Sequence, residues 1–228
     1  MTRLPFVFLC AMAALCCLTG CSRPLQTIPP AGLVAADRLL VFADGLHSGL
    51  VLSKSPSLAT LDAQPEGPPV TLPFMEVGFA ADEWIANESP GSGMKLRMAF
   101  GTSGGVLDLC HRAEMSRPAR SPDIALRTWT LEVSAEGRQA LDTFILAWRN
   151  ASAPQMLRPP LRPTTFRFST HRWSIFHNCH DFSVLALRAA GLDLTIKNLY
   201  TNDVFISQMD EALATLAASG ITVIGPAP

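Results

Sequence analysis

Residues 177–191 read His177-Asn178-Cys179-His180-Asp181-Phe182-Ser183-Val184-Leu185-Ala186-Leu187-Arg188-Ala189-Ala190-Gly191. Val184, Leu185 and Leu187 are apolar and Gly191 stands where a C-terminal cap belongs, so the spacing predicts a helix over 179–190. Cys179 then falls on the first turn of that helix. The unpaired N–H groups and the dipole at a helix start favour negative charge. A thiol there is expected to have a lowered pKa and to act as a nucleophile.

Working outward from this segment, the helices come late in the chain. Ser134 reads as an N-cap for a helix over 135–148, with Leu141, Phe144, Ile145 and Trp148 at helical spacing, and another helix is predicted over 203–218. The earlier half is rich in strands. Apolar or alternating runs predict them at 38–43, 49–53, 74–79, 94–100, 106–110 and 127–133, with short ones at 165–168 and 221–224. Short helical stretches are expected near 58–63 and 81–87, and the proline-bearing 117–123 reads as a loop. Strands first and helices last indicate an α+β fold rather than an alternating parallel sheet.

The N-terminus has a different character. Arg3 precedes an uncharged apolar run over 4–18, too short for a comfortable bilayer span, and Leu18-Thr19-Gly20-Cys21 is a lipobox. The reading is a signal peptide over 1–20, a lipidated Cys21 with a tether over 21–36, and a single domain over 37–228. Ser22 after the cysteine directs such a lipoprotein to the outer membrane, facing the periplasm. The membrane partner is the lipid anchor at Cys21. A net charge of −1 with scattered basic residues argues against a nucleic-acid partner, and the oligomeric state is not legible.

A Cys/His pair needs only spatial adjacency, so the imidazole that serves Cys179 can lie far away in sequence. His47, in Gly45-Leu46-His47-Ser48-Gly49 at the mouth of a strand, is the candidate base. Glu76, inside the apolar strand Phe74-Met75-Glu76-Val77-Gly78, is the candidate orienting carboxylate, with a solvent-facing edge glutamate as the alternative. The Cys179 N–H with Asn178 would stabilise the oxyanion. No cofactor is implied.

His-x-Gly followed by apolar residues early, and Asn-Cys-x-x-Phe late on a helix, resembles the circularly permuted branch of NlpC-like, papain-like thiol hydrolases, which includes lecithin:retinol acyltransferase-like proteins. The chain also resembles a family of bacterial lipoprotein domains of unknown function. These carry Gly-Trp-His-Thr-Gly, Glu-Phe-Gly-Trp-Gly-Asp and late Cys-Asn-Thr-Trp segments, matched here from about Leu39 to Leu199 by 45–49, 76–82 and 179–182. Leu46 replaces an aromatic residue and Ala80 a glycine. The resemblance implies a Cys-bearing helix packed on a small antiparallel sheet that carries the histidine. It also implies attack on an amide or ester bond, with a cell-wall peptide or an acyl lipid as substrate.

Three other readings stand beside this one. His177, Cys179, His180 and His47 could gather a zinc ion, although His-x-Cys-His is an unfamiliar ligand spacing and no metal is expected. Cys110 and Cys179 could form a disulfide in an oxidising compartment. The domain could also be a binding or scaffold lipoprotein with no activity.

Overall fold

The computed structural model describes residues 37–45, 47–61, 71–86, 91–100, 103–119, 123–153, 156–157, 164–197, 199, 201–218 and 223–224. The expected signal peptide, lipobox and tether lie outside them. The elements in chain order are β1 Asp37–Asp44, β2 His47–Ser53, α1 Pro56–Ala59, β3 Phe74–Ala81, α2 Asp82–Ala86, α3 Ser92–Ala99 and β4 Ser103–Arg112. They continue with β5 Leu126–Val133, α4 Ala135–Trp148, β6 Met156–Leu157, β7 Thr165–Trp173, α5 Cys179–Ala189, α6 Asn202–Ala218 and β8 Val223–Ile224. The fold is α+β. The strands form one antiparallel sheet in the order β6-β7-β4-β3-β2-β1-β5-β8, with a two-residue strand at each edge.

Period-two alternation gives the sheet two unlike faces. Leu39 and Val41 of β1, Leu50 and Leu52 of β2, Val77 and Phe79 of β3, and Leu107 and Leu109 of β4 point to one side. There they meet Leu141 and Ile145 of α4, Phe182 and Leu187 of α5, and Phe205 and Met209 of α6. Each fully buried side chain of this size contributes about 1.5–3 kcal/mol. The other face carries smaller apolar clusters, one of Leu40, Phe42 and Val51 and one of Ile85, Val106 and Phe166. Buried charged groups lie beside them.

Local signals fix the helices. Ser134 Oγ accepts from the Gly137 N–H at 3.0 Å and caps α4. Gly137 lets α4 approach the end of α5, because a Cβ there would lie 2.3 Å from the Ala190 carbonyl oxygen. At that end Gly191 has φ +88°, its N–H donates to Arg188 O, and the Leu192 N–H donates to Leu187 O. This is a Schellman cap.

One expected strand is corrected. Residues 94–98 alternate apolar and basic, but the run 94–100 lies within and just after α3, which starts beyond Gly91. Only Met98 of this run is buried, while Leu96 and Phe100 are exposed. The sheet has no slot for another strand here, because β3 and β7 already flank β4.

Candidate active site

The head of α5 is built by Asn178. Its Oδ1 accepts from the N–H groups of His180 at 2.8 Å and Asp181 at 3.2 Å. Its Nδ2 donates to Ile175 O at 3.0 Å and Leu199 O at 2.8 Å. Asn178 is thus a helix cap that ties the segments on either side to the helix start. The oxyanion role expected of it is corrected, since both amide protons already have acceptors.

Cys179 lies directly after this cap and is buried. Its sulfur meets the N–H and hydroxyl of Ser48 on β2. Burial pushes the thiol pKa up, outweighing the lowering by hydrogen bonds from Ser48 and from the His180 and Cys179 backbone. The lowered pKa expected from the helix terminus is therefore reversed: desolvation of a thiolate outweighs the dipole when water is excluded.

Behind the sulfur, Ser48 Oγ also meets His180 Nδ1 at 2.9 Å and Ser183 Oγ at 3.1 Å. The His180 ring stacks on Phe205 with centroids 4.8 Å apart. Burial lowers its pKa from 6.5 to about 4, so it is neutral at pH 7. Between these values the unfolded chain binds a proton that the folded chain does not. This contribution is full above about pH 6.5 and falls as the pH drops towards about 4, by roughly 3 kcal/mol in all. His180→Gln is expected to flatten that limb of stability against pH in urea unfolding. An unchanged limb would assign the titration to another group.

His47 alternates with Ser48, and its ring lies over Gly78 on the face away from α5. Phe42, Gly49, Gly78 and Asp108 share one register line across β1 to β4. The two glycines leave a trough. The Phe42 ring fills it over Gly49, where a Cβ would come within 2.8 Å of Phe42 Cζ. The imidazole fills it over Gly78, where a Cβ would lie 2.7 Å from His47 Nε2. Across the trough, Nε2 is 3.8 Å from Asp108 Oδ2, with both side chains nearly buried. Gly78→Ala is expected to push the imidazole from this position and cost about 1–3 kcal/mol. The displacement can be read from the His47 ring resonances and the cost from urea unfolding. Unchanged resonances would contradict the placement.

Glu76 lies on the neighbouring strand and on the same face as His47, but its partners are Arg112 and Arg117. Arg112 Nε donates to Oε2 at 2.7 Å, and Arg117 pairs with Oε1. Arg117 also forks onto Asp44 Oδ2 at 2.6 and 3.1 Å and lies 3.7 Å from the Phe42 ring centroid. The carboxylate facing the imidazole is Asp108, which sequence reasoning passed over. Its signal was its place in the β4 alternation, visible only once β4 is paired with β3 so that Asp108 falls opposite Gly78.

The remaining candidates separate. Cys110 and Cys179 are both thiols. Cys110 lies opposite Glu76 in the β3–β4 register, with its sulfur 3.8 Å from the His111 carbonyl oxygen. His177 Nδ1 pairs with Asp181 at 2.6 Å, and its ring stacks on Trp148, so it turns away from His180. Among the described residues, no group of three or more His, Cys, Asp or Glu side chains is arranged to hold a metal ion. A shallow groove of about 100 Å³ lies beside the α5 head, lined by Ile175, Phe176, Asn178, Asp181, Ile196, Lys197 and Leu199. No protein-family model, curated protein or solved structure matches the chain.

Proposed function

We propose that the chain is a lipid-anchored envelope protein whose domain is a permuted NlpC-like, papain-like cysteine hydrolase or acyltransferase. Cys179 is the nucleophile, His47 the base and Asp108 the group that orients the imidazole. The observation that carries this reading is that the β2–β3 ladder ends at the Gly49–Gly78 pair: at that open end the Cys179 sulfur meets the Ser48 N–H, which lies in the plane of the sheet rather than on one face, and the His47 ring lies over Gly78 with Nε2 facing Asp108. With Nε2 turned to the carboxylate, Nδ1 is the nitrogen left to serve the sulfur.

The raised thiol pKa sets the order of events. Cys179 rests as a thiol, so its proton passes to His47 as sulfur attacks the carbonyl carbon. A C–S bond forms, and the carbonyl electron pair moves to oxygen. When the tetrahedral adduct collapses, the C–N or C–O bond breaks and the His47 proton leaves with the amine or alcohol. Water, or another acceptor, then attacks the thioester carbon as His47 takes its proton; the C–S bond breaks, the acyl group leaves on the acceptor, and the His47 proton returns to the Cys179 sulfur.

A binding or scaffold role is the second reading. It is favoured by the burial of Cys179 and its raised pKa. Intact-protein mass after incubation with activated esters, peptidoglycan stem peptides or diacyl phospholipids separates the two. The hydrolase reading expects an acyl adduct that maps to Cys179 and is absent from Cys179→Ala. No adduct and no turnover with any of the three would support the scaffold.

A further inference from the structure

Four exposed apolar side chains gather beside the α5 head. Leu96 is 58 % exposed and Phe100 72 %, at the end of α3; Ile175 is 37 % and Phe176 68 %, in the turn before Cys179. The Ile175 N–H donates to Ala99 O at 3.1 Å, which joins the two segments into one surface. Exposed aromatic and aliphatic tips gathered in one patch mark an interaction site rather than ordinary surface. Lys95 stands exposed on α3 next to Leu96, and exposed Lys197 lines the groove with Phe176. Of the acidic groups nearby, Glu83 pairs with Arg97, Asp181 pairs with His177, and Asp82 accepts from the Glu83 N–H while its carboxylate lies against Gly104.

We propose that this face docks on the bilayer, with the apolar tips among the acyl chains and Lys95 and Lys197 against anionic headgroups. Apolar tips flanked by cations suit an anionic lipid surface, and the lipobox supplies the proximity. This rests on the anchor at Cys21 but not on the reactivity of Cys179. Asp37 begins β1 at the end of the sheet away from the patch, because Asp44, Ala81, Ser103 and Trp173 mark the near end. Residues 22–36 can extend to about 50 Å. The eight residues of β1 rise only about 27 Å. The domain can therefore lie with this face on the membrane that holds it.

The test uses the full lipidated chain in phosphatidylethanolamine vesicles containing phosphatidylglycerol. The photoreactive residue p-benzoylphenylalanine replaces Phe100, Phe176 or Leu72 in turn. Leu72 is also exposed but sits just before β3, at the tethered end. Lipid adducts at 100 and 176 are expected to exceed those at 72 about tenfold, and Lys95→Glu with Lys197→Glu to lower them by about the same factor. Equal or greater yield at 72 would overturn the proposal, as would adducts at 100 and 176 that join protein to protein. The intact mass reports the diacylglycerol on Cys21 separately, so a failed anchor and a silent face give different results.

Discussion

Arg117→Leu is expected to lower the free energy of unfolding by about 3–5 kcal/mol. The guanidinium side chain is 2 % exposed and bridges Asp44, 1 % exposed, and Glu76, 6 % exposed. Removing it leaves Asp44 without its forked partner in a place with little water. Glu76 keeps only Arg112. Leucine recovers apolar area but not the charge, and the contact with the Phe42 ring loses its cationic part. Arg117→Lys keeps the charge but not the planar fork, so it is expected to lose part of the same amount. Urea unfolding at pH 7 reads both variants. A loss below about 1 kcal/mol for Arg117→Leu would place these carboxylates in contact with solvent, where such pairs contribute little.

The largest effects on activity are expected at Cys179 and His47. Cys179→Ala abolishes the covalent adduct altogether. His47→Ala lowers kcat/KM by about 10²–10⁴-fold, the range of a positioned proton-transfer group. Asp108→Asn keeps the size of the side chain but not its charge, and is expected to lower kcat/KM by a smaller factor than His47→Ala. Glu76→Gln separates the structural assignment from the one the sequence suggested. It weakens the ion pairs with Arg112 and Arg117 and costs stability, yet kcat/KM of the folded protein is expected to stay within a few-fold of the parent. A rate loss at Glu76 as large as that at Asp108 would reverse the roles of the two carboxylates. The ester that forms the adduct most readily serves as substrate for all four variants.

Much of this architecture is legible in the residues, because local chemistry sets it. The Ser134 and Asn178 caps, the Gly191 terminator and the alternation of Trp129, Leu131 and Val133 each act over a few residues. What was not legible depends on pairing between distant strands. Glu76 and Asp108 are both carboxylates in apolar strands, and only the register decides which one lies across Gly78 from His47. Arg112 and Arg117, which engage Glu76, follow it by tens of residues. The run 94–100 carries a period-two pattern, but it is helical, and of its apolar positions only Met98 is buried. The thiol pKa departs from the expected lowering for a related reason: the helix terminus is a local feature, whereas burial of the sulfur against Ser48 is a tertiary one.

Catalysis at this site requires that the His47 imidazole take the proton from the Cys179 sulfur. The most direct measurement is the rate of Cys179 acylation by an activated ester across pH, in the parent and in His47→Gln. The parent rate is expected to climb through an ionisation below the ordinary cysteine value of about 8.5. In His47→Gln that step vanishes, and the rate rises only at higher pH, as the thiol itself ionises. A parent whose acylation follows thiol ionisation alone, with a profile unchanged by His47→Gln, would contradict it.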